Sequence, residues 1–195
     1  MLLFLEAGHR CSMNIIFNKI VELNPVYWVQ MEDDFCFFQE MDVITHALKG
    51  LQKLGSTDHH VGQIMFNRHY AEIIEDYSFV GHVHNNMDND DDDHFLIHRH
   101  IPDPEECARI TYRNYHYWPH FSFRPSLILC DAVRSLGNFD SLHTFFERDY
   151  ATRWFENGYK TAFFPFIISR HIGKLTSQNN KDTPNAYALN HQNQF

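Results

Sequence analysis

The feature that most constrains the fold is an apolar run that stops at three consecutive carboxylates. Residues 26–31 (VYWVQM) are apolar and β-prone, as expected for a strand covered on both faces, and Glu32, Asp33 and Asp34 follow directly. A second apolar run, FCFF, begins immediately after the triplet. Because burying adjacent like charges without a partner is costly, we predict that the strand ends at Met31 and that the carboxylates stand at the end of the sheet.

Helical and strand-like segments alternate along the first half of the chain. The pattern predicts helices over residues 12–25, with Ser12 as the cap, and over residues 39–55, and a strand over residues 61–67. This alternation predicts an α/β fold with a mixed, mainly parallel sheet flanked by helices.

The second half continues with less regular signals. Residues 122–130 predict a strand in which Pro125 favours an edge or a bulge, and a helical turn that Gly137 stops follows it. Residues 149–157 predict a helix, and residues 159–168 predict a last strand.

Composition limits the classes of function. A length of 195 residues is enough for one domain, predicted over residues 1–190 with a polar tail at 191–195. The net charge of -9 disfavours nucleic acid as a partner. We find no apolar stretch long enough for a membrane span and no signal peptide, so we expect a cytoplasmic protein.

Carboxylates at a strand end are well placed to hold a divalent cation. Ligands of open α/β sheets bind at the carboxyl ends of strands, and Mg²⁺ or Mn²⁺ shares oxygen ligands with substrate phosphates. The alternative is a solvated acidic turn, which the apolar sequence on both sides disfavours. His171, after the last apolar run, could complete a metal shell, and Lys174 could meet a phosphate; both could equally lie in a basic surface turn.

Two further segments carry charged residues at element ends. Glu147 and Asp149 lie at the predicted start of a helix, where the helix dipole alone explains them, although one of them could be a general base. Arg124, in HFSFRPS, could be the cationic contact of a ligand pocket, or could pair with a carboxylate.

Together these motifs resemble the nucleotide-sugar glycosyltransferases of the GT-A fold. MEDDF is similar to the DxD motif of that fold in its EDD form, GNF followed by FFERDY to its acidic helix start, and HIGKLT to its metal-ligating histidine. The stretch from WPHFSFRPSLI to HIGKLT is also similar to glycosyltransferases of large algal DNA viruses, which decorate capsid protein. The resemblance runs from about Gly8 to Asn190.

The resemblance implies a Rossmann-like fold and transfer of a sugar from a nucleoside-diphosphate donor, held through Mn²⁺ or Mg²⁺, to a hydroxyl of a glycan or glycoprotein, in the host cytoplasm if the protein is viral. The roles carried over are metal binding by Asp34 and His171, donor binding by Glu32, Asp33, Lys174 and Arg124, and, in an inverting enzyme, proton abstraction by Glu147 or Asp149.

The chain departs from this family in front of the triplet. GT-A enzymes normally begin with a strand, helix and strand that hold the nucleoside base, whereas one helix and a short lead precede Glu32 here. We therefore expect a domain that lacks this first β-α-β unit and leaves a sheet edge exposed.

Two other classes of function remain open. The HxH pairs His82 with His84 and His98 with His100, together with His94, could serve a metal-dependent hydrolase with zinc or iron. The chain could also be a degenerate, non-catalytic glycosyltransferase or a fragment of one. Metal preference distinguishes the enzymes: dependence on Mn²⁺ or Mg²⁺ favours the transferase, and tightly bound Zn²⁺ favours the hydrolase.

Overall fold

A computed structural model of the chain describes residues 9–55, 60–67, 82–85, 95–100, 105, 120–140 and 146–172. Its elements, in chain order, are α1 (His9–Leu23), β1 (Tyr27–Gln30), β2 (Phe35–Phe37), α2 (Val43–Gly55), β3 (Val61–Met65), β4 (His82–Asn85), β5 (Leu96–Arg99), β6 (Ser126–Leu129), α3 (Cys130–Leu136), α4 (Phe146–Glu156), β7 (Lys160–Phe163) and β8 (Ser169–His171). None of the described helices is long and apolar enough to cross a membrane.

The predicted α/β class is confirmed, but the predicted mainly parallel sheet is wrong. The six-stranded sheet has the order β1-β6-β3-β7-β5-β4, and among these described strands only the β3–β7 pair is parallel. The reason is that a strand from the second half of the chain lies between two strands from the first half. β1 and β3 run in the same direction, as their alternation with α2 predicts, but β6 from the second half lies between them and runs opposite to both.

The first apolar run forms a strand at the edge of the sheet, and, contrary to the prediction, this strand is not covered on both faces. β1 ends at Gln30, one residue before the predicted end, and β6 is the only described strand that pairs with it. Val29 is 40% exposed and Met31 is 51% exposed. The apolar residues of this run are therefore not all buried, and some of them face solvent.

Two local predictions are also corrected. Helix α1 begins at His9, so Ser12 lies inside the helix and does not cap it. Pro125 does not mark an edge, because β6 is an interior strand. Pro125 directly precedes the first paired residue of β6, where its missing N–H removes no ladder hydrogen bond, and its carbonyl accepts the amide of Phe66 at 3.0 Å.

Helix ends follow their sequence signals more closely. Helix α2 ends at Gly55, and Gly137 follows α3 with φ 80. The predicted last strand, residues 159–168, contains β7, which ends at Phe163; Pro165 breaks the run, and β8 begins at Ser169, beyond the predicted end. This break lets β8 leave the main sheet and pair with β2 in a separate two-stranded ribbon.

The buried apolar side chains of the described residues form two clusters that the sheet separates. One is built around helices α1, α3 and α4 with Phe121 and Phe123, and the other joins helix α2 to strands β3, β5 and β7. Neighbouring residues of β6 point into different clusters, Ile128 into the first and Leu127 into the second. Side chains alternate across a strand, so the helices cover both faces of the sheet.

Gly62 is required by a close approach between β3 and helix α4. A Cβ added there would lie 2.7 Å from Cζ2 of Trp154, whose side chain is completely buried. We expect Gly62→Ala to lower the free energy of unfolding in urea by about 1–3 kcal/mol, because the rigid indole has no room to move.

Gly55→Ala is the matched control, since the nearest atom to its added Cβ is the carbonyl oxygen of Val61 at 3.9 Å. It should leave stability unchanged or raise it by up to about 1 kcal/mol. Equal stability of the two variants would contradict the steric explanation.

Candidate functional site

Four of the described strands, β1, β3, β4 and β7, end at the same edge of the main sheet, named here the carboxyl edge. β1, β3 and β7 run in one direction, and the last residues of β1 and β3 both face Ser126, where β6 begins. Phe163, the last residue of β7, faces Met65 of β3. The acidic triplet follows β1 at this edge, which is where open α/β sheets bind their ligands.

The β2–β8 ribbon brings Asp34 and His171 into contact. Asp33 and Asp34 form a tight turn, and Phe35 of β2 then pairs with His171 of β8. The amide of Ile172 donates to the carbonyl of Asp34 at 2.7 Å, and Nε2 of His171 lies 2.8 Å from Oδ2 of Asp34. Two residues that are 137 positions apart in sequence thus share one site.

The pair is accessible from one side. The side chain of His171 is 19% exposed and that of Asp34 is 42% exposed. The ring of Phe35 lies 5.1 Å from the His171 ring and covers part of it. Asp33, the middle residue of the triplet, points to solvent.

Glu32 is the inward-facing member of the triplet. Burial, the largest cause, and the nearby carboxylates of Glu147 and Asp34 together raise its pKa to about 8. The positive charge of Arg124 acts in the opposite direction on the same pKa. Glu32 therefore lies within electrostatic reach of residues from two distant parts of the chain, Arg124 and Glu147.

Glu147 lies in the first turn of helix α4, as the sequence predicted, but its side chain is only 8% exposed. Its Oε1 accepts two hydrogen bonds, from Oγ of Ser122 at 3.2 Å and from the amide of Phe123 at 3.0 Å. Asp149, in the same turn, is half-buried. Lys174 lies outside the described residues.

His9 is a nearby residue that the sequence did not single out. It begins helix α1, and its ring lies 5.3 Å from the ring of Phe146 and 5.8 Å from that of Phe123. Burial lowers its pKa, while the carboxylate of Glu147 acts to raise it. With 15 histidines in the chain, its position ahead of a predicted helix gave no signal.

A second group of histidines lies away from the acidic triplet. The ring of His120 lies 4.6 Å from that of His98 and 6.2 Å from that of His100, and it stacks on Phe155 at 5.5 Å. The hydrolase hypothesis included His98 and His100 but missed His120, which only the fold brings to them. The side chains of His82 and His84, and the whole of His94, lie outside the described residues.

This group does not form a metal site. Nδ1 of His120 accepts the amide of Thr161 at 3.4 Å, so that nitrogen is engaged with the backbone. Across the described parts of the chain, no three or more His, Cys, Asp or Glu side chains come together closely enough to hold a metal ion. The described residues therefore offer a metal-dependent hydrolase no complete ligand set.

The buried histidines should make stability fall with acidification. Burial lowers the pKa of His98 to about 3 and that of His120 well below its usual 6.5. Below pH 6.5 the unfolded chain therefore binds protons that the folded chain excludes. We expect urea unfolding to show that these histidines lower stability from pH 6.5 towards pH 3, by up to about 1.4 kcal/mol per pH unit for each histidine. Glu32 offsets part of this loss above pH 4.5, because its pKa is raised to about 8.

His98→Gln should show a shallower loss, because glutamine does not titrate. His60→Asn is the control: His60 is exposed and has φ 46, which asparagine tolerates, so its pH profile should match that of the unsubstituted protein. If the stability of His98→Gln fell with decreasing pH as steeply as that of the unsubstituted protein, His98 would not be the cause of the loss.

Comparisons of this chain with protein-family models, curated proteins and solved structures find no match. The geometry of the carboxyl edge is therefore the basis on which a function can be argued.

Proposed function

We propose that this chain is a metal-dependent glycosyltransferase that moves a sugar from a nucleoside-diphosphate donor to a hydroxyl of a glycan or glycoprotein. The observation that carries the proposal is the contact of Asp34 with His171 at 2.8 Å, beside the carboxyl edge of the sheet. These two residues lie in the first and the last of the motifs that resemble GT-A enzymes, and the resemblance assigns both to the metal.

The donor atoms of this pair suit Mn²⁺ or Mg²⁺. Two ligands about 2.1 Å from an octahedral ion and at right angles to each other are about 3 Å apart. The carboxylate and imidazole atoms are 2.8 Å apart and partly exposed, so a small adjustment of two side chains would admit a cation. Two protein ligands leave positions for phosphate oxygens and water, and the bound ion would supply positive charge for the leaving diphosphate.

The other residues of the edge fit donor binding and proton transfer. Arg124 would contact the diphosphate, and Glu32 and Asp33 would contact the ribose or the sugar. Asp149 is the stronger candidate for the general base of an inverting reaction, because the carboxylate of Glu147 is buried and already holds two protein donors.

The metal pair can be tested with nucleoside diphosphates. We expect calorimetry with UDP, GDP, ADP and CDP to show binding of at least one of them that requires Mn²⁺. Asp34→Asn and His171→Gln should each weaken it about tenfold or more, because each removes one of two protein ligands.

Glu40→Gln is the control, an exposed carboxylate close to the triplet in sequence, and it should bind as the unsubstituted protein does. Metal-independent binding, or unchanged affinity in Asp34→Asn, would refute the metal site. Absence of binding for all four nucleotides would favour a degenerate, non-catalytic chain.

The base can be tested separately from the donor site. Asp149→Asn should reduce sugar transfer by about 10²–10⁴-fold while nucleotide binding stays unchanged, because a general base acts only in the chemical step. Glu156→Gln, an exposed carboxylate on the same helix, is the control. Full turnover by Asp149→Asn would mean that the base lies elsewhere or that the enzyme retains configuration.

A further inference from the structure

The segment 120–124 connects the buried interior to the carboxyl edge, and β3 holds it from one side. Gln63 of β3 is completely buried. Its Nε2 donates to the carbonyl of Ser122 at 2.5 Å, and its Oε1 accepts the amide of Ser122 at 3.2 Å. Both backbone groups of Ser122 are thus fixed by one side chain.

Helix α4 holds the same segment from the other side. Oε1 of Glu147 accepts the Ser122 hydroxyl and the Phe123 amide, at 3.2 and 3.0 Å. Hydrogen bonds to an ionised carboxylate are stronger than neutral ones, and more so away from water. The carboxylate therefore clamps two successive residues of the segment.

The last residue of the segment 120–124 is Arg124, which carries the positive charge of the candidate site. The amide of Arg124 donates to Oγ of Ser122 at 3.4 Å, so one hydroxyl donates to Glu147 and accepts from Arg124. Arg124 lies two residues before Ser126, which faces the last residues of β1 and β3, so the segment delivers Arg124 to the carboxyl edge. A continuous path of hydrogen bonds thus joins the Glu147 carboxylate to the backbone of Arg124.

We propose that Glu147 is a positioning residue, which fixes Ser122 and Phe123 so that Arg124 is held at the carboxyl edge, where it binds the diphosphate of the donor. This inference rests on the proposed function for its ligand. It assigns Glu147 a role different from proton abstraction, because its carboxylate acts through the segment 120–124 and does not touch the substrate.

A positioning role and a base role predict opposite responses to two substitutions. Glu147→Gln keeps one oxygen that can accept both hydrogen bonds, while it loses the charge and exchanges the second oxygen for an NH2 group. Glu147→Ala removes the acceptor altogether. A positioning residue therefore tolerates Gln far better than Ala. If Glu147 were a general base, both variants would lose that function equally, and neither would change the affinity for the diphosphate.

The experiment measures binding of inorganic pyrophosphate in the presence of Mg²⁺ by calorimetry. We expect Glu147→Ala and Arg124→Ala each to weaken binding about tenfold, and the double variant to be no weaker than either, because residues that act through one path are not additive. Glu147→Gln should lose less than about threefold. Full additivity in the double variant, or unchanged affinity in Glu147→Ala, would overturn the proposal.

Hydrogen exchange separates this inference from the proposed function. The amides of Phe123 and Arg124 should exchange at least about tenfold faster in Glu147→Ala than in Glu147→Gln, whether or not pyrophosphate binds. If the unsubstituted protein binds no pyrophosphate, the proposed function fails, and exchange alone decides the clamp: faster exchange supports it and unchanged exchange overturns it. Ser122→Ala, which removes only the hydroxyl, replaces Glu147→Ala if that variant does not fold, and should speed exchange at Arg124.

Discussion

The buried amide of Gln63 is the interaction on which the rest of the structure depends. Besides holding Ser122, its Nε2 donates to Oγ of Ser126 in β6 at 2.9 Å, and its Oε1 accepts from Oγ1 of Thr161 in β7 at 3.1 Å. A completely buried amide must find partners for its donors and acceptors, since an unmade bond costs about 1–3 kcal/mol. One side chain thereby fixes three adjacent strands and the segment 120–124 relative to one another.

This constraint explains why the site lies where it does. Gln63 ties the start of β6 to β3, and the segment that leads into β6 must then pass along the carboxyl edge. Helix α4 meets that segment through Glu147, and Glu32 reaches the same place from the end of β1. Polar groups from four elements converge at one edge because the sheet beneath them is held by buried hydrogen bonds, which are more rigid than surface contacts.

Local sequence signals predicted the four described helices and four of the eight described strands, but missed β2, β4, β5 and β8 and predicted the partners of the strands badly. Helix α2 with its end at Gly55, the stop at Gly137 and strand β3 follow from periodicity and glycine chemistry, which act over a few residues. The mainly parallel sheet was wrong, and so was the edge position, one of the two alternatives that Pro125 favoured, because both depend on which strand lies next to which. That choice is made between segments far apart in the chain, where local propensity carries no information.

The same division holds for the candidate site. The sequence by itself determined that Asp34 follows a strand, that Glu147 starts a helix and that His171 follows an apolar run, because each depends on where an element ends. Only the tertiary structure decided that Asp34 and His171 touch, since the β2–β8 ribbon joins distant segments. It alone turned Glu147 inward onto Ser122, because the orientation of a side chain at a helix start is set by what packs against that turn.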